Sequence, residues 1–307
     1  MLAVLPTLLA PAEWQARNTV HRQRVERAVV DWQQRRSRAL KHPVEDFLFT
    51  YYTFSPTRLL QWSPSWAEAV DVSNEQPEDH LHWTKPPFSW QDDQLRLDTR
   101  SLPTKTRHLA RWISHLCASM LERPPVFRCF GLHEWAMVYR QSAEEIRHQG
   151  QPLRLPAEEL AAFVESQTLC CTHYDAFRFF TPEAQPRNAH QPTLDSRPDL
   201  EQGGCIHANM DLYKWSSKLW PWIGSDLVGQ CFELALQART IDMRASPYDL
   251  AHLGYDPIPI ETVTGRLSYE AEQRQLAAAA RPLREALQKA AEALVQLPEP
   301  LAGQKAS

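Results

Sequence analysis

Apolar side chains recur every three or four residues along four long stretches of this chain, a period that commits most of it to helix. The first opens at Pro11, a residue suited to the first helical position, and runs to about Arg38 through Trp14, Val25, Val29 and Trp32. The second spans Thr104 to Leu121 through Leu109, Trp112, Ile113, Leu116 and Met120, and Pro124-Pro125 closes it. Ser225 caps the third, strongly apolar, with Val228, Cys231, Leu234, Ala235, Ala238 and Ile241. The fourth, residues 268–297, is rich in Ala, Glu and Gln and is interrupted by Pro282, which predicts a pair of amphipathic helices packed on the body. Shorter helices are expected after Pro43, at the capping-box spacing Ser142-Ala-Glu-Glu145, from Pro156 to Ser166, and from Asp211 to Leu219.

Between these stretches proline dominates. Residues 63–100 lack a sustained period and read as a long loop or peripheral hairpin, with one short strand at Gln94-Leu-Arg-Leu-Asp98. Arg178 to Gly204 is a Pro-punctuated loop too polar for core, of a length that is often functional and is here expected to cover a pocket. The fold predicted is mostly α: a single helical domain over residues 1–307, with long Pro-rich loops and at most a few short strands.

Composition excludes several classes. With 24 Pro and only 9 Gly there is little material for phosphate-cradling loops, and no dinucleotide or P-loop signature is present. A net charge of -4 gives no global basic field for nucleic acid. Arg17, Arg22, Arg24, Arg27, Arg35, Arg36 and Arg38 could form a phosphate-contacting face on the first helix, but Glu13, Glu26 and Asp31 balance them as on an ordinary solvated face. Six cysteines without CxxC spacing read as reduced thiols of a cytoplasmic protein. The apolar start, Met1 to Ala10, lacks a basic lead and contains Pro6, so no secretory signal is expected. No stretch approaches membrane-spanning length, and no membrane association is expected.

The chemistry-bearing residues are histidines paired with acids in four places. His207 and Asp211 are four apart, on one helical face with Trp215 and Lys218, where a carboxylate can orient an imidazole or both can ligate a metal. His173 and Asp175 share a face if their segment is extended, together with Cys171, Phe177 and Phe179, and Arg178 is a nearby partner for the acid. His133 and Glu134 are adjacent, so only one of them is expected to face a shared pocket. His42 with Glu45 or Asp46 has the spacing of helical metal ligands, and equally that of acids in a helix's first turn.

Five longer strings carry a resemblance. They are His42-Pro-Val-Glu-Asp-Phe-Leu-Phe-Thr-Tyr-Tyr52, Phe130-Gly-Leu-His-Glu-Trp-Ala-Met-Val-Tyr-Arg140, Asp175-Ala-Phe-Arg-Phe-Phe-Thr-Pro182, His207-Ala-Asn-Met-Asp-Leu-Tyr-Lys-Trp215 and Asp242-Met-Arg-Ala-Ser-Pro-Tyr-Asp249. Through them the chain resembles, over nearly its full length, a bacterial family labelled 3-methyladenine DNA glycosylase. The resemblance implies an N-glycosylase of base-excision DNA repair that hydrolyses alkylated purines from DNA without a cofactor. The Gly-rich hairpin and catalytic Asp of helix-hairpin-helix glycosylases are absent, as is the zinc motif of type I alkyladenine enzymes, so no catalytic residue carries across.

A glycosylase needs aromatic faces for a cationic base and a carboxylate for the sugar cation. Asp175, Asp211, Glu134 and His207 are the catalytic candidates. Trp135, Tyr139, Tyr174, Phe177, Tyr213 and Trp215 are the stacking candidates, and Arg178, Arg187 and Lys214 could hold phosphate. The competing expectation is a metal-dependent oxygenase, of the di-iron kind or otherwise, or a hydrolase. In it His42, Glu45, His133 and His173, with the acids and His207, hold Fe, Mn or Zn. A binding protein whose polar clusters are structural is the third.

Overall fold

The computed structural model describes residues 6–142, 144–146 and 150–298. Helix dominates, as the period predicts: α1 (Pro11–Ser37), α2 (Phe47–Tyr51), α3 (Pro56–Leu60), α4 (Thr104–Glu122), α5 (Leu132–Ala136) and α6 (Ala157–Ser166), followed by α7 (Tyr174–Phe177), α8 (Arg197–Leu200), α9 (Ile206–Leu219), α10 (Ser225–Arg244) and α11 (Val263–Gln296). α4, α9, α10 and α11 form the central bundle, with α11 laid along α4 and α10 along α9, and α1 packs on the outer side of α10. Ile113, Leu116, Met210, Cys231, Ala235, Ala238, Leu276 and Leu287 fill its core. None of the helices is long and apolar enough to cross a membrane, among the described residues.

The fourth periodic stretch departs from expectation. It is one 34-residue helix with Pro282 inside it, not two. Pro282 lies on the exposed side, where the carbonyl it leaves unpaired can meet water. Leu276, Ala280, Leu287, Ala291 and Leu294 stay buried on both sides of it. Tertiary packing over eight turns outweighs one lost hydrogen bond. The helix expected at Ser142 falls partly on residues 143 and 147–149, outside the described chain; Glu144 and Glu145 form a turn, with the Ser142 N–H donating to Glu145 Oε2 at 3.0 Å.

Residues 63–100 do form a hairpin. Strands β1 (Thr7–Leu9), β2 (Glu68–Asp71), β3 (Phe88–Gln91) and β4 (Gln94–Leu97) make one sheet in the order β1-β2-β4-β3, parallel only at β1–β2. Trp14, Trp62 and Trp83 pack with Val70 and Leu95 as a satellite core beneath it. The arginines of α1 are mostly spent on neighbouring acids: Arg17 on Glu68 and Asp226, Arg22 on Glu26, Arg24 on Glu233, Arg27 on Asp31, and Arg35 on Glu45 and Asp46. They make a solvated, paired face.

A further apolar cluster, containing Trp135, Tyr139, Val164, Tyr248 and Tyr269, sits under α5 and α6 and joins the ends of α10 and α11. Gly265, whose N–H donates to the capping Thr262 Oγ1 at 3.0 Å, starts α11 against the preceding chain. A β-carbon there would lie 1.9 Å from the Pro259 carbonyl oxygen. Gly265→Ala should therefore cost at least about 2 kcal/mol, and Leu287→Ala about 2–5 kcal/mol through its cavity, both measured by urea unfolding.

Candidate functional site

α10 is apolar along most of its buried side, yet it carries Arg239 and Asp242 there, three residues apart. Asp242 has no exposure to solvent, so its charge must be met inside the protein. Three groups meet it. His133, from α5, donates from Nε2 to Asp242 Oδ1 at 2.6 Å. Arg239 donates from Nη1 to Asp242 Oδ2 at 2.9 Å and to Glu134 Oε1 at 2.9 Å. His207, in the first turn of α9, places Nε2 3.8 Å from Asp242 Oδ2 and stands edge-on to His133, ring centres 4.2 Å apart. Gly131 makes this approach possible: it begins α5 at φ +73, and a β-carbon would crowd Ala245 at 3.1 Å.

The two imidazoles are driven apart electrically. Burial alone would lower His133, but the Asp242 carboxylate overrides it and the net shift is upward. His207 is pushed well below its ordinary value by burial and by the charge on His133. Burial works to raise Asp242, yet the neighbouring imidazoles and Arg239 hold its carboxyl well below the usual range. The two imidazoles thus differ in basicity, His133 favouring its proton and His207 resisting one. Such separation is typical of sites that handle protons.

A second cluster lies against the first. The His173 Nδ1 accepts from the Ala176 N–H at 3.2 Å, so Nε2 carries the proton and points at Asp211 Oδ2, 3.3 Å away. Asp211 also accepts from Tyr52 Oη at 2.9 Å, Arg197 Nη2 at 2.9 Å and Lys214 Nζ at 3.3 Å. Arg197 donates from Nε to Glu201 Oε1 at 2.8 Å, and Lys214 pairs with Asp175. Burial opposes ionisation of Asp211, but Lys214 and His173 outweigh it and hold the carboxyl far below its ordinary value. The His173 and His207 rings stack with centres 5.6 Å apart and link the clusters.

Two hollows meet at His207. The larger is a cavity of about 780 Å³, within the size range of small-molecule sites, and His133, His207, Cys129, Cys205, Tyr269 and Gln273 line its floor. Tyr269 Oη and Gln273 Oε1 are buried there without a hydrogen-bond partner among the described residues. Cys129 Sγ lies 3.8 Å from His133 Nδ1, and burial pushes the Cys205 thiol up to about 12. The Pro-punctuated loop supplies part of the wall through Ala189, His190, Asp199, Leu200 and Gln202. On the other side of His207 is a cleft of about 20 Å³ lined by Tyr52, Glu134, Asp175 and Asp211, with room for about one water.

Of the residues singled out in sequence, His133, His173, His207, Glu134, Asp175 and Asp211 do converge. Both members of the His133-Glu134 pair point inward, to opposite sides: His133 lines the large cavity and Glu134 the small cleft. His173 is itself extended, but α7 begins at Tyr174, so it shares no strand face with Asp175. It caps α7 with its own ring, which turns Asp175 toward Lys214. His42 and Glu45 stay apart from the centre, because the His42 Nδ1 accepts the Val44 and Glu45 N–H groups at 3.3 and 3.1 Å and Glu45 pairs with Arg35 and Tyr255.

The expected stacking residues do not line the large cavity. Trp135 donates to the Ala245 carbonyl, Tyr139 to Glu165, and Tyr213 packs on Phe232, all within the core. Phe177 packs on Phe180, Tyr174 is half-buried in α7, Trp215 sits between Trp112 and Arg197, and Arg178 is an exposed partner of Asp175. Sequence reasoning missed Asp242, Arg239, Arg197 and Glu201 as site residues. The available signal was a charged pair three apart on an otherwise apolar helix, and another four apart in the Pro-rich loop.

The chain matches no protein-family model, no curated protein and no solved structure.

Asp211→Asn would remove the charge that Arg197, Lys214 and His173 share, and should destabilise the protein by about 3–5 kcal/mol in urea unfolding at pH 7. The native carboxyl is depressed, so its contribution is fully present above the unfolded value of 3.8 and is lost as pH falls below it. The difference between wild type and Asp211→Asn should accordingly shrink below that pH.

Proposed function

We propose that the chain is a metal-dependent enzyme, an oxygenase or hydrolase, whose ion is held by His133, His207 and Asp242 at the floor of the large cavity. The observation that carries this is the convergence of two imidazoles and one carboxylate from α5, α9 and α10, with one donor atom of each within 4.8 Å of the others. Two nitrogens and one oxygen suit zinc, iron or manganese, and three protein ligands leave positions open for substrate or water. Bound there, the ion would supply Lewis acidity and lower the pKa of a water molecule.

The chain's own residues fit that role. The hydrogen bond from His133 to Asp242 is what an entering cation would displace, since ligands bind deprotonated. Arg239 fixes the second oxygen of Asp242, and Glu134 balances the guanidinium, an arrangement that orients a ligand carboxylate. His207 faces the cavity, while His173 stacks behind it and keeps its ring in place. The Tyr269 ring and the Gln273 side chain line the same space.

Elemental analysis of protein purified without chelators tests the assignment. About one equivalent of zinc, iron or manganese per chain is expected, retained in His42→Ala and lost in His207→Ala and Asp242→Asn. Wild-type protein free of all three ions, also after each is supplied in excess and removed by gel filtration, would defeat it.

Release of an alkylated purine from DNA has one observation in its favour: the cavity has room for a base, with Phe130 and Tyr269 as aromatic walls and Arg123 and Arg128 beside them. The acids singled out for it are engaged elsewhere, Asp175, Asp211 and Glu134 facing Lys214, Arg197 and Arg239, and the acid on the cavity wall is the exposed Asp199. Chelator-resistant release of free base from methylated DNA would favour the glycosylase over the metal enzyme.

A further inference from the structure

α11 carries a buried charge that, among the described residues, has no counter-charge. Arg284 is 2% exposed, donates from Nη2 to Asn209 Oδ1 at 2.5 Å, and leaves Nε with no hydrogen-bond partner. No salt bridge reaches it among the described residues. The ionisable groups closest to it electrically include the thiols of Cys117, Cys205 and Cys231, each pushed by burial to about 12 and therefore neutral at physiological pH. A guanidinium buried in this way is costly unless something negative joins it.

Beside it is room for such a group. A cavity of about 260 Å³ opens between α4 and α11, lined by Arg123, Arg274, Arg281 and Arg284 together with Phe127 and Gly203. No carboxylate lines it, among the described residues. The acids nearby are turned outward: Arg274 pairs with Glu270 at 2.6 Å and Arg281 with Glu285 at 3.1 Å along the exposed helix surface. Arg274 also lies over the Phe127 ring, 4.2 Å from its centre, and Arg123 is anchored to the carbonyls of Glu201 and Pro198.

We propose that this cavity is a binding site for a phosphoryl anion, held from below by Arg284 and at the rim by Arg123, Arg274 and Arg281. Planar guanidinium groups match phosphate oxygens in pairs, and the charge-assisted bonds formed are about twice as strong as neutral ones. The volume exceeds that of a lone phosphate, so the ligand class is a small phosphomonoester. The site is separate from His133, His207 and Asp242 and needs no metal, although Asn209, the partner of Arg284, lies on α9 between His207 and Asp211.

Calorimetric titration of the full chain with inorganic phosphate, alongside thermal unfolding at constant ionic strength set with sodium chloride, tests the proposal. Phosphate should bind saturably and raise the unfolding midpoint where chloride does not. The double variant Arg274→Gln/Arg281→Gln, altered only at the exposed rim, should bind at least about tenfold more weakly. Arg284→Met should lose the response while unfolding no earlier than wild type without phosphate, because it removes an unpaired buried charge. Equal effects of phosphate and chloride, or wild-type affinity in the rim variant, would overturn the proposal. The rim variant decides alone if Arg284→Met does not fold.

Discussion

A carboxylate sealed from water at Asp242 is the constraint around which this molecule is arranged. Desolvating one acid costs several kcal/mol, so the surrounding elements must each deliver a charge or a proton to it. α10 supplies Arg239 from its own next turn, α5 supplies His133, and α9 brings His207 alongside. The pairs also tie the central bundle to the apolar cluster beneath α5 and α6. Well-packed apolar residues would hold those helices together at lower cost. The charged group here is therefore not explained by stability alone, and it lies among the three side chains proposed to hold the ion.

The two polar clusters divide the work. Around Asp211, every oxygen is engaged by Tyr52, Arg197, Lys214 or His173, leaving a cleft hardly larger than a water molecule. Around Asp242 the arrangement is open on one side, where His207, Tyr269 and Gln273 face a cavity of about 780 Å³. The closed cluster positions His173, which stacks on His207, and the open one leaves His207 on the wall of the large cavity. Rigidity behind an open face is what a preorganised site requires.

Much of the fold was legible because period and punctuation agree. The apolar spacing marks α1, α4 and α10, and proline marks their boundaries. The site was legible where two groups share a helix face, as His207 and Asp211 do on α9. It was not legible where the partner comes from a distant element. The three-residue spacing of Arg239 and Asp242 hints at a buried pair, but only the tertiary approach of α5 at Gly131 shows what Asp242 meets. His42 and Glu45 show the converse, since their metal-like spacing is spent on capping the chain ahead of α2. Trp14, Trp62 and Trp83, which composition alone cannot assign, serve a satellite core beneath the sheet instead of a ligand. Pro282 misleads because propensity is a local quantity, whereas α11 is held by tertiary packing on α4, α9 and α10.

The most direct measurement is diffraction from crystals of the untreated protein, recorded at the absorption edges of zinc, iron and manganese. One anomalous peak is expected, within about 2.0–2.3 Å of a nitrogen of His133, a nitrogen of His207 and an oxygen of Asp242. Density maps showing the His133–Asp242 hydrogen bond intact, with no anomalous signal among these three side chains after soaking in each ion, would contradict the assignment of this centre.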